Sequence, residues 1–95
     1  MNRDYEVREI ARAIGAICAR HRKKTGLSQE KFAVMAGINP KHFQTIEAGV
    51  NSKGGSANPQ LGTLAAMCRG LEIPLPEFID EVWEYLRERE TVHNR

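Results

Sequence analysis

Apolar residues recur at helical spacing along the chain, in stripes separated by glycine and proline. From about Asp4 to Lys24 they return every three or four positions, which predicts one long amphipathic helix ending at Thr25-Gly26. Its apolar side carries Val7, Ile10, Ala11, Ile14, Ile17, Cys18 and His21. We expect His21 to be a partly buried structural residue, because the apolar side of a helix faces the core.

The segment from Ser28 to Gly49 predicts two short helices joined by a tight turn. Ser28 is a typical N-cap, since its hydroxyl accepts an otherwise unpaired N–H of the first turn. Gly37 ends the first helix, where a left-handed residue costs least, and Asn39-Pro40 starts the second as cap and first helical position. The residues predicted to face inward are Phe32, Ala33, Ala36, Ile38, Phe43 and Ile46.

This inward set leaves Lys41, Gln44, Thr45 and Ala48 on the outer face of the second helix. The small Ala33 and the permissive Gly37 suit two helices that cross steeply after a short turn. The pattern is typical of a helix-turn-helix whose second helix enters the major groove of DNA. An ordinary helical hairpin inside another bundle fits the same pattern.

Two more helices are predicted in the second half of the chain. Asn58-Pro59 opens one that ends at Gly70, with Leu61, Leu64, Ala65 and Cys68 inward. The last starts at Pro74-Leu75-Pro76 and reaches about Glu90, with a wide apolar face of Phe78, Ile79, Val82, Trp83 and Leu86. That face needs a partner, and two interpretations stay open. Val82, Trp83 and Leu86 form a dimer interface, or the helix packs against Val7 and Ile10.

Composition narrows the class of protein. Ninety-five residues predict a single domain. No apolar run has the length of a membrane span, and the first ten residues lack the apolar centre of a secretory signal, so we expect a cytoplasmic protein without a membrane partner. Residues 1–60 carry ten Lys/Arg against five Asp/Glu, and residues 61–95 carry four against seven. A basic first part and an acidic second part of the chain suit a protein that turns one face to a polyanion, although a random distribution of charged residues also explains the difference.

Catalytic and metal chemistry is not indicated. Cys18 and Cys68 lie fifty positions apart on apolar stripes, which predicts packed thiols rather than a disulfide or a zinc site. No nucleophile–base spacing or phosphate-binding loop is present, so we expect no enzyme activity and no cofactor. RNA binding is less favoured, because six aromatic residues offer few platforms for stacking bases.

The motifs together resemble a known family. GLSQEKFAVMAGI followed by IEAG is similar to the Cro/C1-type, phage-repressor-like helix-turn-helix regulators, and NPQLGTLAAMCRGLEI resembles the next helix of that family. The signature matches at Gly26, Leu27, Ser28, Gln29, Phe32, Ala33, Ala36, Gly37, Ile38, Ile46, Glu47 and Gly49. The resemblance runs from about Ile14 to Ile79 and implies an all-α, five-helix fold with the helix-turn-helix at 28–49, within the single domain expected over residues 1–95. The first helix and the C-terminal helix, at about 76–90, are longer than their family counterparts.

The resemblance also implies a function: sequence-specific binding of double-stranded DNA by a transcriptional regulator, as a homodimer on a palindromic operator. The residues expected to contact bases are then Lys41, Gln44 and Thr45, with His42 at the flank. Lys41 suits the acceptors of guanine, Gln44 suits adenine, and Thr45 suits the methyl group of thymine. The residues expected at phosphates are Ser28, Gln29, Asn39 and Lys53. An antitoxin or accessory module that uses this fold chiefly to bind a protein partner is the alternative.

Arg22 precedes Gly26 by four residues, where the family carries a basic partner of the glutamate in IEAG, so the resemblance implies an Arg22–Glu47 ion pair. Two departures limit what carries over. Pro40 stands where many relatives place a polar base reader, and the loop at 50–57 is longer than usual. That loop either binds phosphate through Lys53 and its glycine amides or is simply mobile.

Overall fold

A computed structural model of the protein describes residues 5–93 and contains five α-helices in that range. They are α1 (Val7–Thr25), α2 (Gln29–Ala36), α3 (Pro40–Ala48), α4 (Leu61–Leu71) and α5 (Leu75–His93). The described part of the chain has no β-strand beyond one isolated antiparallel bridge between Val50 and Ser56. The expectation of an all-α chain with five helices is confirmed.

One hydrophobic core joins all five helices. α1 packs most extensively against α5 and α3, while α2 packs against α3 and α4. The rings of Phe32 in α2 and Phe43 in α3 lie 5.1 Å apart between centroids. The largest fully buried side chains are Ile17, Cys18, Phe32, Phe43, Ile46, Met67, Phe78 and Val82. The position of α3 is therefore set by contacts with both α1 and α2.

Local capping explains where α2 and α3 begin and end. Ser28 Oγ accepts a hydrogen bond from the backbone N–H of Lys31 at 3.1 Å. Asn39 Oδ1 accepts from the N–H groups of Lys41 and His42, and Pro40 occupies the first turn of α3. Gly37 has a φ of 74°, so the turn uses the left-handed conformation that glycine adopts without steric cost. These caps were predicted correctly.

The predicted start of α4 is wrong by two to three residues. The helix begins at Leu61, with Gln60 at the N-cap, and Asn58-Pro59 stays outside it. Upstream, the backbone N–H of Ala57 donates to the Gly49 carbonyl at 3.0 Å, and residues 57–60 follow in a non-helical conformation. Leu61 is consequently 70 % exposed rather than inward, and Met67 fills the core instead.

Gly70 does not end α4, which continues to Leu71. A Cβ atom at Gly70 would lie 3.0 Å from Phe32 Cζ and 3.2 Å from Ala36 Cβ, so this glycine permits α4 to lie close against α2. The left-handed residue after the helix is Glu72, with a φ of 58°.

α5 packs internally along α1. Val82 and Leu86 lie in the core of the single chain, so their predicted place on a dimer surface is not supported. The Trp83 ring makes an edge-on contact with Tyr5, with centroids 5.8 Å apart, and is partly buried. Tyr5 also donates from its hydroxyl to Glu90 at 2.9 Å, which joins the start of the described chain to α5.

The N-terminal end of α1 differs from its prediction. The helix begins at Val7, with Glu6 in the N-cap position and no side-chain capping bond, while Asp4 lies outside the described residues. Val7 is 64 % exposed, whereas Ile10 is partly buried against the core. Further along, His21 Nε2 lies 2.8 Å from Glu81 Oε1 and links α1 to α5, which is the structural role expected of it.

None of the helices within residues 5–93 is both long enough and apolar enough to span a lipid bilayer.

Candidate nucleic-acid interface

The outward face of α3 carries the residues predicted to contact bases. Lys41, His42 and Gln44 are exposed, Thr45 is half-buried, and all four lie on one short helix capped by Asn39. Thr45 Oγ1 donates to the Lys41 carbonyl at 3.3 Å. Because the hydroxyl hydrogen is used within the helix, Thr45 can offer its methyl group and the acceptor side of its hydroxyl oxygen to an external contact.

Glu47, the only carboxylate of α3, is turned inward and paired. Arg22 Nε donates to Glu47 Oε2 at 2.7 Å and Arg22 Nη2 donates to Oε1 at 3.1 Å. The two side chains are 11 % and 5 % exposed, so the ion pair that the resemblance implies is present and largely buried. A third bond, from Arg22 Nη1 to the Leu27 carbonyl at 2.8 Å, joins the pair to the segment before α2.

The electrostatics of this pair leave no negative charge on the surface of α3. The hydrogen bond to Glu47 raises the pKa of Arg22, which keeps the guanidinium charged. Cys18 Sγ lies 3.9 Å from Glu47 Oε2, and burial, reinforced by the Glu47 charge, raises the pKa of the Cys18 thiol. Burial also raises the pKa of Cys68. Both cysteines are free, buried thiols, as predicted.

Three of the four side chains predicted to contact phosphate make hydrogen bonds within the protein. Gln29 Nε2 donates to Glu47 Oε1 at 2.8 Å, so Gln29 at the start of α2 is tied to the end of α3. Ser28 and Asn39 are occupied as N-caps. The groups that remain for an anion at the start of α2 are the N–H groups of Gln29 and Glu30, the hydroxyl hydrogen of Ser28 and the second Nε2 hydrogen of Gln29.

The loop after α3 is a closed hairpin, which we call hairpin 50–56. Asn51 Oδ1 accepts from the N–H groups of Lys53 and Gly55 at 2.9 and 3.0 Å, and the Asn51 N–H donates to the Gly55 carbonyl at 2.8 Å. The bridge between Val50 and Ser56 closes its base. Lys53 is exposed near the tip, immediately beyond the end of the base-contact face.

Sequence reasoning missed one feature of this region, the crossing of α1 and α3 at Gly15. A Cβ atom at Gly15 would overlap the carbonyl oxygen of Glu47 and would lie 2.6 Å from that of Ile46. The signal was a glycine inside an otherwise strong helical stripe, which usually has a packing reason.

Metal-binding clusters and pockets are the other features that could carry chemistry in the part of the chain that the structure describes. Within residues 5–93 no three His, Cys, Asp or Glu side chains are grouped so that they could hold a metal ion. Arg20, Glu81, Glu84, Tyr85 and Glu88 line an open depression between α1 and α5.

No protein-family model matches the chain, and no curated protein matches it. The assignment of function therefore rests on the residues of α3 and their surroundings.

Proposed function

We propose that the protein is a sequence-specific double-stranded DNA-binding regulator with a phage-repressor-like fold, and that α3 is its recognition helix. The observation that carries the proposal is the outward face of α3. It presents Lys41, His42 and Gln44 to solvent while its one carboxylate, Glu47, is buried against Arg22. A short helix with a polar, cationic and carboxylate-free face suits the major groove, whose edges are rich in acceptors.

The charge distribution of the chain supports this orientation. Residues 1–60, which include α3 and hairpin 50–56, carry a net charge of +5, whereas residues 61–95 carry −3. Backbone phosphates attract the first part and repel the second, so the domain approaches DNA with α3 forward.

The proposed contacts are of two kinds: contacts to phosphates position the domain on the duplex, and contacts to base edges recognise the sequence. The first turn of α2, the Asn39 end of α3 and Lys53 on hairpin 50–56 contact phosphates on either side of the groove. Lys41, Gln44 and the Thr45 methyl group contact base edges, with His42 at the flank. One such module buries a small interface, so two copies bind a palindrome whose half-sites lie about 34–36 Å apart.

The test is selection of bound sequences from a randomised duplex pool at moderate salt. Wild type is expected to enrich a palindromic consensus. Lys41→Ala and Gln44→Ala are expected to lose or change single positions of it, at a cost of about 1–3 kcal/mol for each lost base contact.

Lys24→Ala and Gln60→Ala are matched controls, because they remove the same residue types from exposed positions outside α3. Both should leave the consensus unchanged. Binding without an enriched motif would contradict sequence-specific recognition and leave only attraction to a basic surface.

A protein-binding module is the second candidate, favoured by adjacent exposed apolar residues on α2. Val34 is 68 % and Met35 55 % exposed. If no duplex binds, we expect a small protein partner to co-purify with wild type but not with Val34→Lys. Loss of this partner would show that the α2 surface is used for protein contact.

A further inference from the structure

Gly15 brings the backbones of α1 and α3 into direct contact. It lies on the buried side of α1, between the core residues Ile14 and Ile17. A methyl group there would meet the carbonyl oxygens of Ile46 and Glu47, which belong to the last turn of α3. Since these neighbours are backbone atoms, no side-chain rotation can make room, and α3 itself would have to move.

A second glycine approaches from the other helix at the same crossing. A Cβ atom at Gly49, the residue that ends α3, would lie 2.9 Å from Arg12 Cα and 3.3 Å from the Arg12 backbone nitrogen. Arg12 lies three positions before Gly15 and therefore on the same side of α1. The distance between the two helices is thus the minimum that both backbones allow.

α1 is also tied to the amino end of α2. Arg22 donates to the Leu27 carbonyl and to Glu47, and Gln29 donates to the same carboxylate. The start of α2 and the end of α3 are consequently fixed on one helix, α1. Under the proposed function, the start of α2 contributes phosphate contacts and α3, held at its last turn, carries the base contacts.

We propose that Gly15 is a positioning residue for base recognition: it sets the distance of α3 from α1 and hence the alignment of the base contacts with the phosphate contacts. This inference rests on the proposed function. Phosphate contacts fix the orientation of a protein on the duplex. If α3 shifts while α2 keeps its phosphate contacts, the side chains of α3 lie at the wrong depth in the major groove or opposite the wrong base pair. Specific binding then falls, whereas sequence-independent binding persists.

The chain offers two controls of the same chemical change. Gly70→Ala is also crowded, at 3.0 Å from Phe32 Cζ, but its neighbours are side-chain atoms of α2 rather than the backbone of α3. Gly62→Ala in α4 meets nothing within 4 Å. The first reproduces a packing defect without displacing the α3 backbone directly, and the second reproduces only the change in helix propensity.

The experiment measures affinity for the selected operator and for a random duplex of equal length, by fluorescence anisotropy at one salt concentration. Thermal unfolding of each variant gives the folded fraction, and affinities are corrected for it. The readout is the ratio of specific to non-specific affinity, which a loss of folded protein alone does not change. For Gly15→Ala this ratio is expected to fall by about tenfold or more, with non-specific affinity within about twofold of wild type.

Gly70→Ala and Gly62→Ala should keep the ratio within about twofold of wild type. A folded Gly15→Ala variant with an unchanged ratio would overturn the positioning role. If Gly15→Ala does not fold, Gly49→Ala takes its place with the same expectation for the ratio. This variant pushes on Arg12 across the same crossing and also puts a Cβ atom on a left-handed backbone with a φ of 79°, so its folded fraction is measured first. A wild-type ratio near one would remove the proposed function itself, and the role of Gly15 with it.

Discussion

Glu47 connects three segments through one carboxylate, because its side chain accepts bonds from Arg22 on α1 and Gln29 on α2 while its backbone belongs to α3. Taking two charges out of water costs free energy, which the attraction between them offsets only while both are present. The pair therefore matters less for total stability than for fixing which surfaces of α1, α2 and α3 meet.

Glu47→Ala is expected to lower the free energy of unfolding by about 3–5 kcal/mol, because it leaves the Arg22 guanidinium buried without its partner. Urea unfolding followed by circular dichroism measures the change. Glu84→Ala on α5 is the matched control, since that carboxylate is exposed, and its change should stay within about 0.5 kcal/mol. Equal changes in the free energy of unfolding for the two substitutions would show that the buried ion pair contributes no more to stability than an exposed carboxylate does.

The Cys18 thiol gives the fold a dependence on alkaline pH. Burial and the neighbouring Glu47 raise the pKa of Cys18 above its ordinary value of 9.0, so the folded state holds a proton that the unfolded state releases. The stabilisation from this neutral thiol is complete below pH 9.0 and is lost as pH rises further, by up to about 1.4 kcal/mol per pH unit.

Urea unfolding of wild type and Cys18→Ala, below and above pH 9.0, checks this expectation. Other groups also titrate in this range, so the comparison with Cys18→Ala isolates the thiol. The decline with pH should be shallower in the variant, and parallel declines would contradict the role of Cys18.

Among the connections between elements, the end of α4 carries a strained residue. Glu72 has a φ of 58° and is exposed. A non-glycine residue pays a steric cost in this left-handed conformation. Glu72→Gly is expected to raise the free energy of unfolding by about 0.5–1 kcal/mol. Glu72→Ala keeps the strained Cβ atom and should give no such gain, with both read from urea midpoints.

Helices whose ends depend on local chemistry were predictable from sequence. Ser28, Gly37 and Asn39-Pro40 act through bonds within a few residues, so their spacing was sufficient to place α2 and α3. The outward position of Lys41 and Gln44 followed from the same spacing.

Features that depend on distant contacts could not be derived from local spacing, and the Arg22–Glu47 pair was expected only because of the family resemblance. α4 starts late, after the bond from Ala57 back to Gly49, and Gly70 faces α2 rather than ending its own helix. Gly15 likewise acquires its meaning from α3, some thirty residues away. Some local features were missed as well: the bonds inside hairpin 50–56 depend on the Asn51 side chain, which the sequence shows only as one more polar residue.

For the whole molecule, the packing of α5 against α1 means that the inward apolar residues of α5 are buried within a single copy of the chain. Leu86 is 5 % exposed in the single chain. Leu86→Ala is expected to lower the free energy of unfolding by about 2–5 kcal/mol, through lost burial and the cavity left behind. The loss should be equal at low and high protein concentration. A loss that depends on concentration would instead assign Leu86 to an interface between two copies.

The bond between Tyr5 and Glu90 has a further consequence for the order of the chain. It holds Tyr5 beside the last turns of α5, so a short linker can join residue 5 to residue 93 without disturbing either helix. The chain could then be opened between Lys53 and Gly54, which are exposed on hairpin 50–56. This circular permutant is expected to fold with the same helical circular-dichroism spectrum as wild type, because nearby ends and an exposed opening point are what permutation requires.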